Sequence, residues 1–390
     1  MSEHPAAARD AVGPDLPLGE AAAAIAVGVI ALLLAGVLPA LLGALADEHR
    51  LSAAGIGLTA TFEALAMGLS TAAAGIVLPP KHLKLVAALA SLMLAGADLA
   101  TLHAHDTAVI AIRTVAGVPE GILLWITVGM IARTQTPERW AGVFFTALTA
   151  GQLAIALVFA EWVLPAYGAD GGFAGLGLAS LAGVAVALFV PGHYAALVKD
   201  EVSGAPPPRG WYALFATLIY IGASGTVGVY LQPMAHQAGL SADVARTAVW
   251  TSLAAQIAGG AAATALAGHV RYLTVFVFAA VVIVATWAVF LVRTPAWAFI
   301  AANAAGGFVS ILIAAFLVPM TIEADPSRRA AVLSGSTQVL AGALGPFAAS
   351  FVVADDDVHG AVALGTVSLF IGLALVAGLH FTSLWNNHTV

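Results

Sequence analysis

The segment IRTVAGVPEG, residues 112–121, places Arg113 and Glu120 seven residues apart in a run that is otherwise apolar from Thr107 to Ala132. Seven residues are nearly two helical turns, so in a helix both side chains, with Gly117 between them, share one face at about 10 Å separation along the axis. A third charge, Glu63, lies in another apolar run, on a polar stripe with Thr59 and Ser70. A central arginine or acid facing hydrocarbon costs about 2.5–3.5 kcal/mol, so three would cost roughly 8–10 kcal/mol, comparable with the whole stability of a typical fold. The three must face one another or a wet cavity. One arginine compensates one glutamate; the other is left hydrated or protonated, which makes it a candidate proton carrier. The bland alternative is a static clamp between two helices. Pro119 frees the carbonyl of Val115 and bends the helix beside Glu120, which would open the backbone there to solvent or ligand.

These charges stand out because the chain spends so few. Charged residues make up 9% of the sequence and hydrophobic ones 61%, with a mean hydropathy of +0.97, against roughly 25% charge in an ordinary soluble domain. This predicts an all-α polytopic membrane protein. Polar and turn-rich points cut the chain into about twelve apolar segments, each long enough to cross roughly 30 Å of hydrocarbon as a helix. The expected spans are 22–44, 52–78, 82–103, 107–132, 138–165, 171–192, 211–235, 243–268, 271–292, 296–322, 328–354 and 359–383. The runs are too long and continuous for β-barrel strands. Residues 1–21 carry Asp10, Asp15 and three prolines without a basic lead into an apolar core, and read as a cytoplasmic tail, not a signal peptide.

Lysine and arginine set the orientation. With the N-terminus inside, ten of the fourteen fall on cytoplasmic segments and only Arg50, Arg246 and Arg293 outside, with Arg113 in the membrane. Both termini are therefore expected in the cytoplasm. The chain also repeats: LSA at 51–53 and 240–242, P-x-R at 137–139 and 326–328, and Gly117 and Gly306 all share an offset of 189. This predicts two six-helix parallel repeats, 22–197 and 211–390, joined by a cytoplasmic linker at 198–210 whose proline run makes an extended spacer.

Twelve helices as six plus six, with both ends inside, resemble the major facilitator superfamily. Residues 38–68, LPALLGALADEHRLSAAGIGLTATFEALAMG, resemble its first two helices, and Arg113, Gly117 and Gly121 its fourth-helix arginine motif. The resemblance implies a secondary transporter of a small-molecule substrate that works by alternating access in the lipid bilayer. The family's acidic residue between helices two and three is replaced by Pro79, although Lys81 and Lys84 remain. The fifth-helix signature of drug–proton antiporters is missing from AGVFFTALTAGQL, and Gly345–Pro346 in the eleventh span does not restore it.

The second half has no charge near the middle of its spans. Tyr220, Ser224, Tyr230, Gln232, Ser252, Gln256, Asn303, Ser310, Ser334 and Gln338 supply polar groups there instead, several at four-residue spacing. Gln152, Tyr220, Tyr230, Gln256, Asn303 and Gln338 are candidate substrate-cavity residues; for any single one, a hydrogen bond between helices is the simpler account. Gly222, Gly225 and Gly228 suit either a close helix contact or a flexible gate, of which packing is the simpler account. Asp98 and Glu161 fall near outer helix ends, where water is expected to reach them. His103, His105 and Asp106 read as solvated loop residues rather than a metal site.

Several classes are excluded or disfavoured. Without cysteine there are no disulfides, thiolate metal sites or cysteine nucleophiles. A net charge of −7 disfavours a nucleic-acid partner, and no nucleotide-binding P-loop appears. No nucleophile–base constellation suggests an enzyme, and no cofactor is expected. The reading is a proton-coupled secondary active transporter in a bacterial inner membrane, functional as a monomer. Alternatives are an uncoupled facilitator, an organic-anion uptake system using Arg113 for a substrate carboxylate, and a transporter-like receptor or structural membrane protein.

Overall fold

A computed structural model describes residues 16–195, 205–353 and 359–388. Most of the N-terminal tail, residues 196–204 of the linker region and the acidic run at 355–357 lie outside the described residues. The described elements are helical: α1 (Leu18–Asp47), α2 (Ala53–Val77), α3 (Leu83–Ala100), α4 (Asp106–Ile131), α5 (Pro137–Val158), α6 (Leu164–Ala187), α7 (Pro208–Gly228), α8 (Leu231–Gln237), α9 (Ala242–Leu266), α10 (Tyr272–Phe290), α11 (Ala296–Ala324), α12 (Arg329–Ala349) and α13 (His359–His388). No strand occurs among the described residues, only an isolated bridge from Lys81 to His193.

Nine stretches among the described residues are long and apolar enough to cross a membrane, and the protein is a multi-pass membrane protein. One of these stretches, Pro137–Ala187, runs for 51 residues, about 76 Å of helix and more than twice a hydrocarbon core. A wide π-helical turn at Phe159–Val163 joins α5 to α6, and the chain breaks direction at Gly168, with φ 60° and ψ −158°. That conformation is essentially restricted to glycine. Neither α9 nor α12 reaches the apolarity of the other long helices, because each carries polar or small residues along its length.

Several expected boundaries move: α6 begins at Leu164, not 171, and α12 ends at Ala349, not 354. The span at 211–235 ends at Gly228, and the chain restarts as the short α8. Pro233 has no N–H to give the carbonyl of Val229, which weakens the helix there, and Tyr230 N–H bonds instead to the Val227 carbonyl at 3.0 Å. The span at 171–192 ends at Ala187. Beyond it the chain folds back, with Tyr194 N–H bonded to the Pro80 carbonyl and Leu83 N–H to the Gly192 carbonyl. Backbone bonds thus tie down the loop that carries Pro79 and Pro80.

The chain divides into two compact units. The first comprises residues 1–135, 151–205 and 327–339, and the second 136–150, 206–326 and 340–390. They differ from the halves 22–197 and 211–390 by an exchange: the start of α5 joins the second unit and the start of α12 the first. In the first unit α2 lies along α4, α3 packs on α4 and α6, and α1 packs on α4 and α6. In the second, α9 lies along α11 and α13 along α7, with α10 against both α11 and α13.

Glycines let the central pairs approach. A Cβ on Gly117 would stand 2.9 Å from Met67 N, and one on Gly121 2.9 Å from Thr71 N. Both are tighter than real Cβ contacts allow, so α4 meets α2 backbone to backbone. Hydroxyls bridge the seam: Ser70 donates to the Gly117 carbonyl at 3.2 Å and Thr71 to that of Gly121 at 3.0 Å. In the second unit Gly142 and Gly260 bring α5 and α9 together in a reciprocal contact, each opposite the threonine one turn beyond the other. The close approach of α7 to α12 is at Gly345 of α12, where a Cβ would stand 3.1 Å from Thr226 N; Gly222 and Gly225 face α12 with room close to that of an ordinary contact, and nothing lies within 4 Å of Gly228.

The α2–α4 seam is open to direct test. Gly121→Leu must push α2 outward, and overpacking of this kind costs about 1–3 kcal/mol. A lowered midpoint of thermal unfolding in detergent is the expected result; an unchanged midpoint would contradict the contact.

Candidate functional site

The close seam sets one charged pair, and a third helix completes the cluster. Arg113 on α4 is fully buried. Its Nη2 donates to Glu63 on α2 and, at 3.4 Å, to Glu120 nearly two turns further along its own helix. Its Nη1 donates to Asp98 on α3 at 2.7 Å. From α6, Ser180 donates to the other oxygen of Asp98 at 2.9 Å, and the Phe173 ring lies 5.6 Å from the guanidinium carbon. Glu63, Asp98 and Glu120 are all buried. Helical spacing puts Arg113 and Glu120 on one face, and the glycines at 117 and 121 let α2 close over that face.

The charges do not balance. One guanidinium faces three carboxyl groups in a space nearly free of water, so full ionisation would leave two uncompensated negative charges. Uncompensated buried charge is among the most costly features a fold contains. The cluster is also incompletely bonded: Glu63 Oε2 and Arg113 Nε are buried without a partner. Beside it, a cavity of about 10 Å³ is bounded by Asp98, Glu120, Ser180 and the apolar side chains of Ile30, Leu33, Leu34, Leu94 and Leu176. That is space for at most one water molecule.

Asp98 is the member that sequence reasoning missed. It stands two residues from the end of α3, where water was expected, yet it is 2% exposed. The chain that follows folds over it, fastened by Arg50, whose guanidinium donates to the carbonyls of Thr101 and Ala104 at 3.0 Å each. Ser91 lies seven residues before Asp98 on the same face and is also buried. That spacing repeats the Arg113–Glu120 pattern and was the available signal.

The remaining candidates are scattered. Gln152 donates to the Leu32 carbonyl at 2.8 Å and fastens α5 to α1. Tyr220 is fully buried, donates to the Phe276 carbonyl at 2.7 Å and packs edge-on to the Phe276 ring. Tyr230 sits at the break between α7 and α8, and Gln338 is half-buried on α12. Gln256 and Asn303 meet at a cavity. It lies in the second unit, measures about 170 Å³, and is also lined by Ser224, Ser252, Thr286, Trp287, Phe290 and Ser310.

One of the loop histidines, His103, joins an ion-pair network around Arg50. His103 meets Asp170 through its ring at 2.7 Å, and Asp170 accepts from Arg50 at 2.6 Å. Glu48 pairs with Arg50 at 3.0 Å and accepts the Ala169 N–H at 2.8 Å, holding the turn at Gly168. No group of three or more metal-ligating side chains of this kind is placed to hold an ion among the described residues.

No protein-family model and no curated protein sequence matches the chain. Its fold, however, is that of solved transporters. The human organic anion transporter MFSD10 (TETRAN) superposes with a TM-score of 0.71 at 14% identity, over 93% of this chain and 100% of that one. A major facilitator superfamily transporter, FucP, in its outward conformation, superposes with a TM-score of 0.68 at 15% identity, over 92% and 98%.

The charge imbalance makes a stability prediction. Arg113→Ala strands three buried acids and should destabilise the protein by about 3–5 kcal/mol. Adding Glu120→Gln removes one of them and should recover part of that loss in thermal unfolding. If the double variant is no more stable than Arg113→Ala, Glu120 does not belong to the electrostatic unit.

Proposed function

We propose that the protein is a secondary active transporter of the major facilitator type, which moves a small organic molecule by alternating access and draws its energy from protons. The observation that carries this reading is the buried cluster in which one arginine serves three carboxyl groups. A structural clamp needs a single acid, and every further buried acid costs stability unless it holds a proton. A site that must load and release protons needs the surplus. Glu63 and Asp98 make the close bonds to the two terminal nitrogens of Arg113. Glu120 is held at 3.4 Å and borders the small cavity, which makes it the proton carrier in this scheme. Protons fit better than sodium because the arginine beside the acids repels a bound metal cation.

The fold likeness, which spans more than nine-tenths of this chain and of both compared proteins, supports the transport reading. It also supports twelve spans as two parallel repeats, residues 22–197 and 211–390, with both termini and the 198–210 linker cytoplasmic. In each unit the most extensive pairing joins corresponding elements, α2 with α4 and α9 with α11, and α2 and α9 begin 189 residues apart. The protein is read as a monomer in a bacterial plasma membrane, binding no nucleic acid. MFSD10 is an organic anion transporter, but anion uptake through Arg113 fits poorly here. The guanidinium is enclosed by three carboxyl groups, and a substrate carboxylate would meet their repulsion.

In proteoliposomes, Glu120→Gln should abolish accumulation driven by a pH difference while keeping substrate exchange, because the amide keeps the shape but cannot cycle a proton. Accumulation at the wild-type level would remove Glu120 from this role. Arg113→Lys keeps charge but not the fork that serves several acids at once; it should fold and insert yet transport at about a tenth of the normal rate or less. Cysteines at Ser203 and Asp356, both outside the described residues, should be labelled from opposite faces of the membrane. Labelling from one face would overturn the topology.

A further inference from the structure

The cavity in the second unit differs from the charge cluster in every chemical respect. Its wall carries side-chain hydroxyls and amides and two aromatic rings, and no charged residue. Three of its six polar side chains are idle: Ser224, Ser252 and Gln256 make no side-chain hydrogen bond to the described residues, whereas Ser310 donates to the Gly307 carbonyl and Thr286 to that of Ala302. Asn303 spends its amide N–H on the Ala248 carbonyl at 2.7 Å, which fixes the side chain and leaves its carbonyl oxygen to accept. Trp287 and Phe290 are packed into the core behind the cavity, Phe290 against the Phe299 ring at 4.8 Å between centroids. They form a rigid apolar side. Around Gly228, another lining residue, no atom lies within 4 Å of where a side chain would begin, so the wall is left open there.

Charge decides what such a space accepts. A buried ion must be paired, and each unpaired one costs several kcal/mol. Three charged groups near the lining in sequence lie away from it: Arg293, three residues beyond Phe290, is exposed, Arg246 pairs with Asp243 at 2.6 Å at the exposed start of α9, and Glu323 accepts from Tyr272 at 3.1 Å near the far end of α11. None of them lines the cavity. An anion or a cation placed there would lose its water and gain no counter-ion. An uncharged molecule with hydroxyl or amide groups would satisfy the idle serines and glutamine, and an apolar face would lie on Trp287 and Phe290.

We infer that this cavity recognises the transported molecule and that the molecule is an uncharged hydrogen-bonding solute with one apolar face, not an organic anion. The inference rests on the transport reading for the purpose of binding, but binding is tested without transport or protons.

The absence of cysteine from the whole chain makes the test direct. Ser252→Cys places a thiol of similar size in the cavity, Ser224→Cys places one on the neighbouring helix α7, and Thr107→Cys, at the exposed start of α4, reports intrinsic reactivity. The purified full-length variants are exposed in detergent to three methanethiosulfonates of matched length: hydroxyethyl (neutral), sulfonatoethyl (anionic) and trimethylammonioethyl (cationic). Scaled to the rates at Thr107→Cys, the neutral reagent should label both cavity thiols at least about ten times faster than either charged one. Equal or faster labelling by the anionic or cationic reagent overturns the inference, as does failure of the neutral reagent to label either thiol above the cysteine-free protein. Proton coupling is read separately from accumulation by Glu120→Gln, so failure of one reading is distinguishable from failure of the other.

Discussion

A fully buried guanidinium governs the architecture of the first unit. Arg113 cannot lose its charge and carries five N–H donors, so acids must come to it from other helices. Glu63 arrives from α2 only because Gly117 and Gly121 remove the side chains that would hold α2 away. Asp98 arrives from α3, and Ser180 and Phe173 on α6 close the remaining side. Helices α2, α3, α4 and α6 thus converge on one side chain, and their packing is the means by which one buried charge is satisfied.

The second unit resolves the same problem of polarity inside a membrane by a different route. Apart from Asp325 and His380, its buried polar side chains are of uncharged types, and most bond to a nearby carbonyl, as Tyr220 does to Phe276 and Asn303 to Ala248. Neutral groups tolerate imperfect pairing at a cost of a kcal/mol or so, which is why a few of them remain idle beside open space. Charged groups left equally idle would unfold the unit. One unit therefore gathers three buried acids around one buried arginine, and the other presents uncharged polar groups to a cavity.

Much of this organisation was legible in the sequence because a membrane imposes length and polarity together. Apolar runs of twenty residues or more fixed where α1 to α4 and α9 to α13 would lie, to within a few residues. The adjustments came from local backbone chemistry: Pro233 weakens the seventh span at Tyr230, and Gly168, in a conformation essentially restricted to glycine, turns the continuous run between α5 and α6.

The sequence by itself determined that Arg113, Glu120 and Glu63 could not face lipid, because the cost of hydrocarbon depends on residue type and depth and on no contact. It also placed Arg113 and Glu120 on one helical face, because spacing along a helix is a local property. Only the tertiary structure decided that Asp98 joins them. Its burial depends on the chain after α3 folding over it under Arg50, a contact between residues far apart in sequence. The same holds for the candidates of the second half. Tyr220, Gln256 and Asn303 look alike in a sequence, but whether a polar side chain finds a carbonyl or a cavity depends on which helix packs against it.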